Sequence, residues 1–364
     1  MPDDPFAALD EAARRGPEAL VGRLIELADR SGNADERLAA RLLAERLRLG
    51  LPVWGEPEGP PVSPETRTAY EKAADRIARA LGRELLERGE IAAAWPIWRR
   101  LGETGPVAEA IERLASERPA VPRRRLSELI RIALHEGAHP AAGLRLAVEA
   151  GEYGAAFDFL AEDESIGREE RSAAAAEAIQ RLHGDLSAAL LRAAGEPAGS
   201  PEGAVDLAHL IAKHPGVAEG DPPVVDPALL RRAVRVSPWL EAGPALECAI
   251  DLCRAGESLP ARLRRPGPPP FEAFFTDHRI LLSGLAGRQV DAAVEHFIAK
   301  AEFHRRRGGE GAQAAGETLI YLLHRAGRPV PALAALNRYL ATPPRGPLCP
   351  PLEVLCSAAG DFGP

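Results

Sequence analysis

The segment LAVEAGEYGAAFDFL (146–160) places Gly151 between two runs in which apolar residues recur every three or four positions. This spacing is typical of amphipathic helices. A glycine at the end of a helix can adopt the left-handed backbone conformation that stops it. Ala156, five positions later, is small enough to let a second helix approach the first closely. The segment therefore predicts two helices joined by a tight turn.

The same pattern, a glycine followed five positions later by an alanine, recurs along the chain. The pairs are Gly89 with Ala94, Gly151 with Ala156, Gly184 with Ala189, Gly287 with Ala292, and Gly327 with Ala332. Helical apolar spacing covers most of the sequence, whereas the strict alternation that is typical of strands is almost absent. We therefore predict an all-α fold made of helix pairs.

Prolines and glycines divide the chain into segments, because proline in the first turn of a helix loses no hydrogen bond. Six prolines stand where a helix could begin: Pro17, Pro64, Pro140, Pro201, Pro227 and Pro331. Three Pro/Gly-rich stretches separate the helical regions. The predicted order is an N-terminal helical cap (1–50), a linker (51–63), a helical repeat array (64–213), a loop (214–226), a helical pair (227–263), a Pro-rich loop (264–270) and C-terminal helical repeats (271–364).

Three segments resemble the turn inside a tetratricopeptide repeat: RELLERGEIAAAWPIW (83–98), LAVEAGEYGAAFDFL (146–160) and YLLHRAGRPVPALAAL (321–336). The resemblance covers residues 64–340 and is degenerate, since only one spacing between the glycines is close to the family's period of about 34 residues. It implies a right-handed array of antiparallel helix pairs, an α-solenoid, whose concave groove binds a protein or peptide. Segments 94–114 and 132–156 also resemble parts of uncharacterised helical proteins from GC-rich bacteria.

The composition narrows the classes of partner. The 364 residues carry a formal net charge of -8, which does not favour nucleic acid, because affinity for phosphates comes from an excess of Lys and Arg. The first residues lack the apolar core of a secretory signal. No run approaches the roughly 18 consecutive apolar residues of a membrane-spanning helix. We therefore expect a cytoplasmic protein that binds neither nucleic acid nor a membrane.

The run His135-Glu136-Gly137-Ala138-His139 matches the H-E-x-x-H motif of zinc peptidases. In that motif two histidines one helical turn apart bind the metal, and the glutamate is the general base. The match suggests a zinc-dependent hydrolase, with His135 and His139 as metal ligands and Glu136 as the catalytic base.

The residues around this motif favour a different structure. Pro140 disfavours helical geometry at His139, the residue before it. Gly137 can end one helix, and Pro140 can open the next. The helix LSELIRIALHEG (126–137) has its apolar residues on one face, which places His135 on the opposite, solvent-exposed face. We therefore predict no catalytic, cofactor or metal site, and keep the zinc-dependent hydrolase as the alternative.

The remaining cysteines, histidines and aromatic residues form no known catalytic motif. Buried reduced thiols are predicted for Cys248, Cys253, Cys349 and Cys356. Surface or packing roles are predicted for His209, His214, His296 and His304. Core positions are predicted for Trp54, Trp95, Trp98, Trp239, Phe157, Phe159, Phe274, Phe275 and Phe297.

Together these patterns predict a non-enzymatic helical-repeat scaffold that binds a protein or peptide partner in a concave groove. The C-terminal stretch PLEVLCSAAGDFGP (351–364) is helix-like and has no polar cap of the kind that terminal repeats carry. We therefore also expect oligomerisation through the C-terminal helices.

Overall fold

The computed structural model describes residues 5–52, 62–117, 122–163, 166–195, 206–220, 223–308, 310–340, 342–344 and 346–360. Within these ranges it contains eighteen α-helices and no strand, which confirms the predicted all-α class. None of the helices in these ranges is long and apolar enough to cross a membrane. The chain divides into two compact units, residues 1–146 and 147–364. The finer division proposed from the sequence stays a prediction.

Most helices of the first unit pack against the next helix along the chain. They are α1 (Pro5–Arg14), α2 (Pro17–Ser31), α3 (Ala34–Arg48), α4 (Pro64–Glu87), α5 (Ile91–Leu101), α6 (Gly105–Glu117), α7 (Arg123–Ile130) and α8 (Pro140–Glu149). The boundary between the units falls within α8. A π-helical turn, Arg131–His135, follows α7 directly.

The packing of α4 on α5 depends on one glycine. Gly82 lies in the interior of α4, and a Cβ atom there would stand 2.6 Å from Nε1 of the buried Trp98. Only a residue without a side chain lets the indole come this close to the helix. Leu81 and Leu85 on the same helix are fully buried and help to form the core of this unit.

The second unit combines a sequential stack with contacts between distant segments. Its helices are α9 (Tyr153–Glu162), α10 (Arg168–Ala194), α11 (Leu207–Lys213), α12 (Pro227–Val236), α13 (Pro244–Glu257), α14 (Phe274–Leu285), α15 (Val290–Arg307), α16 (Glu310–Arg325), α17 (Pro329–Tyr339) and α18 (Leu352–Ala359). From α13 to α18 each helix packs on the next, whereas α9 packs on α12 and α10 packs on α13. Two helices of this stack, α14 and α16, supply part of the wall of the cavity described below.

Four of the five Gly-Ala pairs stand at the predicted helix boundaries. The glycines of these pairs have left-handed backbone angles between two helices: Gly89, Gly151, Gly287 and Gly327. The prediction at Gly184 is wrong, because α10 runs through this residue without interruption. Ala292 is exposed, and its neighbour Ala293 is the buried small residue at the start of α15.

The proline boundaries are also largely confirmed. Four helices begin at predicted prolines: Pro17, Pro64, Pro140 and Pro227. Pro331 lies two residues inside α17, which begins at Pro329. Pro201 lies outside the described residues, as do Trp54 and most of the predicted linker. The predicted loop 214–226 contains a short 3-10 helix, Pro215–Ala218.

The predicted aromatic core is confirmed at every described position. The prediction for the cysteines is only partly correct. None of the four forms a disulfide, and Cys253 and Cys349 are buried, but Cys248 and Cys356 are half-buried. Burial raises the pKa of the Cys349 thiol to about 12, so this group is protonated at neutral pH.

Candidate functional site

The H-E-x-x-H match spans a helix end and the start of the next helix. His135 is the last residue of the π-helical turn, and its side chain is exposed. Gly137 has a left-handed φ of 75°, and α8 begins at Pro140. These observations confirm the predicted turn and the predicted exposure of His135. The π-helical geometry of the last turn was not predicted.

The other two residues of the motif contact different partners. Glu136 accepts a hydrogen bond from Nε1 of the buried Trp95 and forms ion pairs with Arg131 and, at 3.4 Å, with Arg99. Nε2 of His139 lies 3.2 Å from Oε2 of Glu112 on α6. Glu136 thus joins α5 to the π-helical turn. Within the described part of the chain, no group of three or more His, Cys, Asp or Glu side chains is arranged to hold a metal ion.

The second unit contains a cavity of about 280 Å³ that no sequence motif marked. Its walls come from the end of α12, the segment Pro268–Phe271, α14, α16 and the segment Gly346–Cys349. Most of the lining is apolar, and it includes Pro270, Phe274 and Leu348. We call this space the apolar cavity.

His278 is one of the few polar groups in the wall of the apolar cavity. Its ring lies 4.0 Å from the ring of Phe271 and 4.4 Å from that of Phe274, measured between centroids. Nδ1 donates a hydrogen bond of 2.8 Å to the carbonyl oxygen of Phe274. Burial lowers the pKa of His278 to about 4. The imidazole is therefore neutral at physiological pH, and it stabilises the aromatic wall through stacking.

The other polar groups of the wall are held by the protein itself. The hydroxyl of Tyr321 donates to the carbonyl oxygen of Pro238 and accepts a bond of 2.9 Å from Nη1 of Arg325. Glu317 accepts hydrogen bonds from Gln313, at 2.7 Å, and from the amide of Gly346, at 3.0 Å. A neutral imidazole, a bonded phenol and a protonated thiol are suited to contact and hydrogen bonding rather than to nucleophilic catalysis.

A partly buried cluster of polar and ionisable groups lies beside one wall of the apolar cavity. Asp277 is only 1% exposed, and its carboxylate accepts hydrogen bonds from Nε2 of His296, at 2.9 Å, and Nζ of Lys300, at 2.7 Å. Lys300 also donates to Glu272 at 2.6 Å, and Nε2 of His304 lies 2.6 Å from the same carboxylate. Glu272 directly follows the wall segment Pro268–Phe271, so the cluster attaches that segment to α15.

Sequence reasoning treated the members of this cluster one at a time. It predicted surface or packing roles for His296 and His304, and the structure places both rings against carboxylates. It did not connect them with Lys300, although the three residues are spaced four apart and therefore lie on one face of α15. A second signal of this cluster in the sequence was the pair of acidic residues at the start of α14: Glu272 lies just before the helix, and Asp277 lies in its first turn.

Comparisons with known proteins add no relative. No family model, no curated protein and no solved structure matches the chain. The resemblance to tetratricopeptide repeats therefore stays a prediction.

Proposed function

We propose that the protein is a non-enzymatic helical-repeat scaffold that binds a protein partner, and that the apolar cavity takes an apolar anchor side chain of that partner. The observation that carries this proposal is the size of the cavity together with its lining. Small-molecule sites usually measure roughly 300 to 1,000 Å³, and a cavity of about 150 Å³ already holds benzene. At about 280 Å³, the apolar cavity suits one large side chain such as Phe or Leu.

The chemistry of the walls supports an anchoring role. Burial of one large apolar side chain contributes about 1.5 to 3 kcal/mol, and such anchors dominate the affinity of protein interfaces. The wall segment Pro268–Phe271 is held by the cluster around Asp277 and Lys300. A wall that is already ordered lowers the entropy lost on binding.

The packing of helices in the second unit supports the helical-repeat array that this proposal includes. The helices α13 to α18 pack in sequence, and left-handed glycines separate α14 from α15 and α16 from α17. This is the local geometry that a right-handed α-solenoid repeats. The proposal includes a cytoplasmic location and self-association through α18, which exposes Leu352 and Val354.

A peptide selection tests the proposal. A random peptide library displayed on phage is selected on the full-length chain and counter-selected on the Ala314→Phe variant. Ala314 is a half-buried residue of α16 that lines the apolar cavity, so a phenyl ring at this position fills it. The matched control is Ala193→Phe, the same substitution at an exposed position of α10.

We expect the selected peptides to share one large apolar residue. Their affinity should be unchanged for Ala193→Phe and about 10- to 100-fold weaker for Ala314→Phe, because the energy of one buried side chain is lost. Peptides that bind both variants equally would contradict the proposal, and so would a failure to enrich any peptide.

A further inference from the structure

A second cavity in the second unit has a different chemical character. It measures about 620 Å³ and lies between the first turns of α10, the segment Glu241–Ala245 that leads into α13, and the end of α16. Its polar lining includes two arginines, one histidine and one glutamine: Arg168, Arg325, His324 and Gln180. We call this space the basic cavity.

Two of these side chains have no partner among the residues that the structure describes. With these described residues, the side chains of Arg168 and His324 make no hydrogen bond or ion pair. Arg325 is held at 2.7 Å by Glu241, whose side chain is 66% exposed at the edge of the cavity. The other carboxylate of the lining, Glu169, lies exposed in the first turn of α10. Arg168 lies exposed in the same first turn as Glu169, and no described residue pairs with its guanidinium, which is therefore accessible to a ligand.

The positive charges of Arg168 and Arg325 act together at His324. Burial lowers the pKa of His324, and the charges of Arg168 and Arg325 lower it further. The long helix α10 and α13 also begin at this cavity, and neither has a side-chain cap on its first turn. Their amide groups add positive potential to that of the side chains.

We propose that the basic cavity binds a small molecule that carries phosphate or carboxylate groups, with Arg168 and Arg325 contacting its oxyanion and His324 beside it. Guanidinium groups match both oxyanions, because their N–H donors bond two oxygens at once. A volume of about 620 Å³ is within the usual range of roughly 300 to 1,000 Å³ for a small-molecule ligand. This site shares no lining residue with the apolar cavity and does not depend on the function proposed above.

A titration followed by NMR tests this site in the full-length protein. Inorganic phosphate, pyrophosphate and citrate are added in turn at constant ionic strength, and the imidazole signals of the nine histidines are recorded. The His324 signal is assigned by its loss in His324→Gln. We expect a saturable shift of this signal and a rise in the pKa of His324, because a bound anion offsets the two arginine charges.

Two matched variants decide the outcome. Arg168→Gln should weaken binding by at least tenfold, whereas Arg192→Gln should bind as the wild type does. Arg192 is exposed on the same helix and lies outside the cavity. The rise in melting temperature caused by the anion should also be smaller in Arg168→Gln than in Arg192→Gln. Because each variant is measured with and without the anion, a variant that is less stable by itself can still be tested.

The two ligand chemistries are distinguished by the anions. Binding of pyrophosphate but not citrate assigns a phosphate ligand, and the reverse assigns a carboxylate ligand. The proposal is overturned if none of the three anions shifts the His324 signal saturably, or if Arg168→Gln binds as tightly as Arg192→Gln.

Discussion

Glu136 shows how a residue in a catalytic motif can serve packing. Its carboxylate accepts the hydrogen bond of Trp95, whose side chain is buried. We expect Glu136→Ala to lower the free energy of unfolding by about 1 to 3 kcal/mol, because a buried N–H loses its acceptor. Glu136→Gln retains an acceptor oxygen and should lose less than about 1 kcal/mol. Urea denaturation of both variants measures the difference.

The same variants test the alternative function. On our account the zinc content of the purified chain is far below one equivalent. Hydrolysis of a peptide by the wild type that Glu136→Gln abolishes would instead favour the zinc-dependent hydrolase. A larger loss of stability in Glu136→Gln than in Glu136→Ala would contradict the packing role.

His278 makes the stability of the second unit dependent on pH. Its pKa is about 4 in the folded state and about 6.5 in an unfolded chain. Between these values the unfolded chain binds a proton that the folded chain does not, so stability falls as the pH drops from 6.5 to 4. The full contribution of this histidine is roughly 3 kcal/mol.

His278→Phe tests this contribution, because it keeps an aromatic ring against Phe271 and Phe274 and removes the titration. We expect the variant to lose less stability than the wild type between pH 7 and pH 4, by up to about 3 kcal/mol. Denaturation at several pH values measures this. Equal losses in the two proteins would show that His278 is not the source.

At the scale of single helices, one substitution should have opposite effects at two glycines of the second unit. Gly287 has a left-handed φ of 76° and Gly184 lies inside α10, and a Cβ atom at either position meets nothing within 4 Å. Gly287→Ala should therefore destabilise by roughly 1 to 2 kcal/mol through backbone strain alone. Gly184→Ala should stabilise by about 0.5 to 1 kcal/mol, because alanine favours a helix. Urea denaturation measures the free energy of unfolding of the two variants. Changes of the same sign in both would contradict the helix boundaries described above.

These two glycines also show how far the sequence predicts the helices. The Gly-Ala pattern is the same at both, but the apolar face continues through Gly184 in the buried residues Leu182, Leu186 and Leu190, which are spaced four apart. A continuous face indicates one helix. Local periodicity therefore predicts most helix boundaries. The prediction at Gly184 was wrong because it relied on a single glycine and not on the apolar face that continues through it.

The candidate site was harder to predict from the sequence than the helices were. The exposure of His135 followed from its position on a helical face. The bond between Trp95 and Glu136 joins residues 41 apart, and the apolar cavity draws its lining from Arg235 to Cys349. Contacts over such separations depend on tertiary packing, which no local pattern reports.

At the scale of the whole molecule, both cavities belong to the second unit and share α16. Ala314, Thr318 and Tyr321 line the apolar cavity, and His324 and Arg325 line the basic cavity. These five residues follow one stripe of the helix, since they are spaced three or four apart or are adjacent. We therefore expect ligands of both kinds to be bound by the second unit.

Hydrogen exchange measured by mass spectrometry, on the full-length chain with and without a selected peptide, tests the central claim most directly. We expect the peptide to slow exchange in the segments 268–281, 314–321 and 346–349, and to have no effect on the Ala314→Phe variant. The account would be contradicted if exchange in these segments stayed unchanged and the peptide slowed exchange elsewhere, for example in residues 131–140 around the H-E-x-x-H match.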